Sequence, residues 1–371
     1  MSSALFSPYK LAGLELANRI VVSPMCQYSA ADGSANDWHM MHLGMLANSG
    51  AALVVVEATH VERHARITHG CMGLYSDDNE AALARVVSQC RRAGTARFGI
   101  QIAHAGHKAS SQKPWEGGAS LKTGQDPWET IAASPIPFGD GWHTPREATE
   151  ADMNRVRDAF VASFQRAVRI GFEEVELHMA HGYLMHGFMS PLSNKRTDQY
   201  GGSFENRMRF PLSVARVVRA VVPKRIALGA RITGSDWKEG GLTPDDAVTI
   251  AKLLKAEGID FICVSSGGVA GGIHNPTEPG FNVPIAARVK KEAGIATRTV
   301  GLIVKPELAE QIIAKGDADM VAMARCFLDD PHWGWHAAKA LGADVARPPQ
   351  YARAGPKLWA PAAGGDRKSV V

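Results

Sequence analysis

The chain has 371 residues, 45% hydrophobic and 21% charged, with a formal net charge of +4. That length can bury one large core or two modest ones, the composition is that of a globular enzyme, and so small a charge gives no reason to invoke nucleic acid. No run approaches the ~18 uninterrupted apolar residues of a membrane span, and the opening MSSALFSPYKLAG has no apolar targeting core, so a cytoplasmic protein is expected. Five scattered cysteines, at 26, 71, 90, 263 and 326, form no CxxC pair and no zinc spacing, and read as reduced thiols.

From residue 20 to about 340, short apolar runs alternate with longer amphipathic stretches. The runs predict strands over Ile20–Met25, Ala52–Thr59, Phe98–Ala103, Phe172–His178, Ile226–Ile232, Phe261–Ser265, Thr297–Leu302 and Met320–Arg325. Several are apolar at consecutive positions, as strands buried on both faces are. Between them, helices are predicted after Ser76-Asp77-Asp78 through Ala82–Arg92 to a stop at Gly94, from Thr149 to Ile170, and from Thr243-Pro244 to Gly258. Eight strand–helix units in one stretch predict an α/β fold, a (β/α)8 TIM barrel forming a single domain over residues 1–355. A doubly wound open sheet is the runner-up, but no GxGxxG follows the first strand. Residues 104–148, rich in Gly, Pro, Ser and Trp, form an extended loop after the third strand, long enough to be a pocket wall or lid rather than a connector. Residues 356–371 read as a mobile tail.

Polar residues recur where these strands end: Ser23 to Tyr28 after the first, Glu57-Ala58-Thr59 on the second, Gln101 and His104 on the third, and His178 to Tyr183 on the fourth. Arg231 ends the fifth, Gly301 the seventh and Arg325 the eighth. In a barrel such positions converge on one mouth, where a ligand would satisfy groups that otherwise cost ~1–3 kcal/mol each to bury. The pair His178 and His181 admits two readings: an HxxH metal site, as in a metal-dependent barrel hydrolase, or two imidazoles donating to one carbonyl oxygen. No third ligand stands at convincing spacing, so no metal is expected. Arg231 supplies a permanent cation, Gln101 can both donate and accept, and Gly301 with Arg325 can cradle a phosphate.

The strings SPMCQYSA, VVVEAT, IQIAHAG, ARIT, PPQYAR and above all VELHMAHGYLMHGFMSPLSNKRTDQYGGSFENRMRF resemble the old yellow enzymes, in particular the bacterial subclass with cysteine in the first motif, which includes xenobiotic reductases. The resemblance spans residues 5 to 353. It implies an FMN-dependent ene-reductase that takes reducing equivalents from NADPH or NADH and passes them to activated alkenes. By the same resemblance, Ser23, Pro24, Met25, Cys26, Ala58, Gln101, Arg231, Gly301, Ala324 and Arg325 hold FMN. His178 and His181 grip the substrate carbonyl, Tyr183 protonates the α-carbon, and Tyr28 lines the substrate side. Tyr351 and Arg353 resemble residues that complete a neighbour's site, implying a homodimer or homotetramer with Arg353 crossing the interface. Trp115 reads as a pocket wall and Trp333 as core.

Three departures stand out. Ala324 replaces the usual glycine before Arg325. His107 stands where arginine is usual, which would rearrange contacts to the nicotinamide phosphates, with Lys108 remaining. His60, His64 and His69 are extra and read as solvated. A flavin enzyme carrying an iron–sulfur cluster and acting on dienoyl-CoA would need clustered cysteines and extra domains. A non-catalytic binding protein would leave the convergent polar residues unexplained.

Overall fold

The computed structural model describes residues 3–356 together with 358 and 359, so most of the expected tail lies outside the described residues. Eight parallel strands close into a barrel: β1 (Ile20–Val22), β2 (Leu53–His60), β3 (Arg97–Ala103), β4 (Glu174–Met179), β5 (Ala227–Thr233), β6 (Phe261–Ser265), β7 (Ala296–Thr299) and β8 (Met320–Met323). Each pairs with the next, and Val321 to Met323 of β8 pair with Ile20 to Val22 of β1 to shut the ring. All eight expected strands are present. β1 stops before Met25 because Pro24 has no N–H to give a ladder. β7 stops at Thr299 because Gly301 (φ 122°) and Leu302 (φ 51°) turn the chain out of the extended region.

The helices around the ring are α1 (Asp37–Ala47), α2 (Asp77–Ala93), α3 (Glu150–Ile170), α4 (Leu184–Met189), α5 (Phe204–Val221), α6 (Pro244–Ala256), α7 (Val283–Ala293), α8 (Pro306–Ala314), α9 (Arg325–Asp329) and α10 (Trp333–Ala340). The three helices expected from start and stop signals begin on Ser76, Thr149 and Thr243, whose hydroxyls accept from the backbone N–H of Asn79, Asp152 and Asp246. Each such cap is worth about 1 kcal/mol against alanine. Among the described residues no helix is long and apolar enough to cross a membrane.

The outward faces of the strands and the inner faces of the helices form one large apolar cluster. A second cluster fills the N-terminal end of the barrel, where the hairpin Tyr9–Leu11/Leu14–Leu16 plugs the ring against Val21, Leu53, Val55, Phe261 and Met320. Above that plug the interior turns polar. The two-residue period of a strand sends Glu174, Glu176 and His178 of β4 inward, and the parallel register sets His178 beside Arg231 and Gln101 beside Glu176. Arg298 of β7 bonds Glu174 and Glu176 inside the barrel and lies over the Phe261 ring. Gly229 makes this possible, since a Cβ there would stand 2.1 Å from that ring. The bonds of Arg298 and the Gln101 amide to the two glutamates satisfy charges that would otherwise be expensive to bury.

The C-terminal strand ends carry the long connection 104–148, which is built rather than loose. It holds a short parallel pair, Ile131–Ala132 with Arg146–Glu147, and Arg196 clamps it by donating to the carbonyls of Ala133 and Ala148. At the opposite end, α10 seats Gly334 and Trp335 against Gly50, just before β2 begins.

Candidate active site

The turn after β4 carries the two histidines. His181 (φ 61°) and Gly182 (φ 78°) both adopt left-handed backbone, and Gly182 has no alternative, because a Cβ would lie 2.1 Å from the Gly268 carbonyl oxygen. The turn is tied at each residue. The His181 N–H donates to Thr233 Oγ1 (3.1 Å), the Gly182 N–H donates to His186 Nδ1 (2.7 Å), and Lys108 Nζ donates to the His181 carbonyl (2.9 Å). His186 Nε2 in turn lies 3.0 Å from Asp236 Oδ1, with both side chains fully buried.

These ties bring three rings together. The His178 and His181 centroids are 5.1 Å apart, and Tyr183 stands edge-on to His178 at 4.5 Å. His178 Nδ1 accepts from the Ala180 N–H (3.3 Å), while His181 Nε2 meets Ser265 Oγ (2.7 Å). Burial drives both imidazoles well below their ordinary pKa, and the nearby Arg231 and Lys108 charges push the same way. Both are therefore neutral at pH 7. Burial pushes Tyr183 well above its ordinary pKa, which keeps its hydroxyl protonated.

Beside this group lies a cleft of about 230 Å³ lined by Ser23, Arg231, Ser265, Asn282, Gly301, Ala324 and Arg325 among others. Arg231 Nη1 donates to Ser23 Oγ (3.2 Å), but among the described residues its buried Nε has no partner, nor has the buried Asn282 Oδ1. Unpartnered donors and acceptors at such a depth fit a polar ligand. At Gly301 an added Cβ would come within 3.1–3.2 Å of Phe281 and Asn282, so only glycine leaves the cleft its wall at this φ. Ala324, at φ −109°, caps α9 in a conformation alanine reaches without left-handed strain, so the missing glycine costs the cradle nothing there.

On the other flank, Gln101 donates its amide N–H to Glu176 Oε1 (2.7 Å), which leaves its own carbonyl oxygen to accept from a ligand. Met25 packs on the main core and Ala58 is buried on β2. Cys26 and Tyr28 join a small cluster with Cys71, Trp128 and Tyr183. Burial, reinforced by Glu57 and Cys71, raises the Cys26 thiol well above its ordinary pKa, so it is a protonated thiol rather than a nucleophilic thiolate. Trp115 is exposed and stands edge-on to Tyr28 at 5.9 Å, and Trp333 is buried core.

Several residues do not lie where the sequence suggested. Lys108 is turned inward under the His181 carbonyl and over the Phe138 and Tyr183 rings, not outward toward a cofactor phosphate; burial brings its ammonium down to about 8. His107 is buried against Phe138. His60 is fully buried, contrary to the solvated reading; of the three extra histidines only His64 is exposed, and His69 leans on Trp128. Tyr351 stands edge-on to Trp335 (6.1 Å), at the N-terminal end of its own barrel, so within one chain neither it nor Arg353 joins the histidine pair. Ser265 and Asn282 went unread: a serine closing an apolar strand and an asparagine before VPIAAR carry no local signal. Among the described residues no three His, Cys, Asp or Glu side chains are placed to hold a metal ion.

Residues 4–343 match the model of the NADH:flavin oxidoreductase / NADH oxidase family. The chain is 41% identical over 355 residues to an NADPH dehydrogenase of Geobacillus thermodenitrificans, covering 95% of this chain and 99% of that one. It is 39% identical over 354 residues to an NADPH dehydrogenase of Listeria innocua, with the same coverage. Among solved structures it superposes on morphinone reductase with a TM-score of 0.76 at 26% identity, over 94% of this chain and 93% of that one. With its closed eight-stranded barrel and the polar cluster at the strand ends, the chain belongs to the NADH:flavin oxidoreductase / NADH oxidase family, the old yellow enzymes its motifs resemble, and is a flavin oxidoreductase.

Proposed function

We propose that the chain is an FMN-dependent ene-reductase with NADPH as its reductant. The observation that carries the reading is the histidine pair: two neutral imidazoles side by side, each with one nitrogen tied to the protein and the other without a partner among the described residues. Two such N–H donors suit a carbonyl oxygen that gains negative charge during reaction. The reductant follows from the NADPH dehydrogenases to which the chain is similar.

The chemistry FMN supplies when bound is hydride acceptance from NAD(P)H and delivery to the β-carbon of an activated alkene such as an α,β-unsaturated carbonyl. The residues present fit it. Arg231, with its unpartnered buried Nε, and Gln101, with its free Oε1, would hold the ring's polar edge, and Ser23, Pro24, Met25, Cys26 and Ala58 its flank. Gly301, Ala324 and Arg325 would hold the phosphate in the cleft. His178 and His181 polarise the substrate carbonyl and orient the alkene, and Tyr183, protonated and beside His178, gives its proton to the α-carbon. Tyr28 and Trp115 wall the substrate side. Tyr351 and Arg353, far from this mouth in their own chain, would reach the site of a second copy in a homodimer or homotetramer.

The purified protein should be yellow and its visible band should shift when a phenol binds; a colourless protein that takes up no FMN ends this reading. The double variant His178→Ala/His181→Ala should lose alkene reduction by roughly 100-fold or more, the scale of removing such donors. Its oxidation of NADPH by oxygen should fall far less, and an equal fall in both half-reactions would put the pair outside substrate binding.

A further inference from the structure

Each imidazole of the pair has one nitrogen tied to the protein, and the two ties differ in kind. At His178 the partner is the Ala180 backbone N–H, which can only donate. Nδ1 is therefore the lone-pair nitrogen, and the proton of a neutral ring sits on Nε2. At His181 the partner is Ser265 Oγ, 2.7 Å from Nε2, and a hydroxyl can donate or accept. Ser265 is buried at the end of β6, and its Oγ has no other hydrogen bond among the described residues.

We propose that Ser265 is a positioning residue that sets the tautomer of His181, donating its hydroxyl to Nε2 so that the single ring proton lies on Nδ1 and points to the substrate oxygen. The proposal rests on the reading of the pair as a carbonyl clamp. The surroundings keep the ring neutral, and the clamp reading then gives the bond its direction. Arg231, Lys108 and His186 face His181 from neighbouring elements, and with burial they hold it neutral, so one proton serves two nitrogens. Thr233 Oγ1 and Lys108 Nζ meet only its backbone. With Nε2 taken by Ser265, Nδ1 is the nitrogen left for a ligand. Were Nε2 the donor, Nδ1 would present a lone pair to the lone pairs of a carbonyl oxygen, and the two rings would oppose each other. With Ser265 donating, both rings offer an N–H and the clamp takes up developing negative charge without moving a proton. No covalent or redox step is involved.

The test is 15N NMR of histidine-labelled, FMN-loaded protein at pH 7 with 4-hydroxybenzaldehyde as the phenolic probe, His181 being assigned through His181→Gln. The expected spectrum shows an unprotonated Nε2 and a protonated Nδ1 on His181. Ser265→Ala should lose that pattern and weaken the probe by about 5- to 10-fold, as for one hydrogen bond. Ser265→Thr, which keeps a hydroxyl, should restore both. A wild-type His181 with its proton on Nε2, or with protons on both nitrogens, overturns the proposal without needing any variant. An unchanged tautomer and unchanged affinity in Ser265→Ala also overturn it. If the probe fails to bind wild type at all, the clamp reading falls, and the proposal with it.

Discussion

Tyr183 joins β4 to α4 and sets a phenol ring edge-on to His178. Its environment makes it a reluctant acid: burial comes first, then Cys26, Tyr28 and Cys71, against a smaller opposing pull from Arg231. A phenol so placed stays protonated across the neutral range and gives up its proton only to a strongly basic carbon, such as the α-carbon left after hydride delivery. Tyr183→Phe should lower alkene reduction by roughly 10²-fold, the lower end of general-acid effects, with phenol binding to the clamp retained. Stopped-flow traces of the alkene half-reaction check this, and an unchanged rate would assign the proton to water. The histidines and Tyr183 were legible because HMAHGY is unusual by residue type at a strand end. Lys108 was misread because HAGHK gives its identity but not its direction, which the left-handed turn at His181 settles from 73 residues away.

At the scale of elements, the recognisable run SNKRTDQYGGSFENR does less chemistry than its specificity suggests. Asn194 donates to the carbonyls of Phe188 and Tyr200, Arg196 reaches Ala133 and Ala148, and Ser203 caps α5, so the run stitches α4, α5 and the long connection together. The 178–183 turn is the piece this stitching holds in place. Two glycines near it make a controlled comparison. Gly182→Ala adds left-handed strain and a Cβ 2.1 Å from the Gly268 oxygen, whereas Gly187, in α4, has nothing within 4 Å of the same addition. Gly182→Ala should therefore cost roughly 2–4 kcal/mol in urea unfolding, from strain plus overpacking, and weaken phenol binding. Gly187→Ala should be neutral or stabilise by up to about 1 kcal/mol, since alanine is the better helix former. Equal effects from the two would mean that the turn relaxes freely.

Over the whole molecule, the ring of eight strands was readable because consecutive apolar residues mark strands covered on both faces, and the count then selects closure. The charged layer inside the barrel was not, because its partners lie far apart in the chain: Arg298 is 124 residues from Glu174 and 122 from Glu176. Burial raises Glu174 to about 7, while Arg298, although burial works against its charge, is held above its ordinary value by the two glutamates. A carboxyl whose folded pKa exceeds its unfolded one stabilises the fold at low pH and loses that contribution as pH rises through the folded value. Glu174 should thus make the wild type somewhat less stable between about pH 4.5 and 7. Arg298→Met leaves two carboxyls without their cation, so the folded value of Glu174 climbs further and the loss continues past neutrality. The variant should be roughly 3–5 kcal/mol less stable at pH 7. Its deficit should narrow toward pH 5 and widen toward pH 9, by up to about 1.4 kcal/mol per pH unit from Glu174. Adding Glu174→Gln and Glu176→Gln removes the buried charge, and should recover most of the deficit and flatten its pH dependence. Denaturant unfolding at pH 5, 7 and 9 measures all three forms, and a deficit independent of pH would mean that Arg298 serves by packing over Phe261 rather than by its charge.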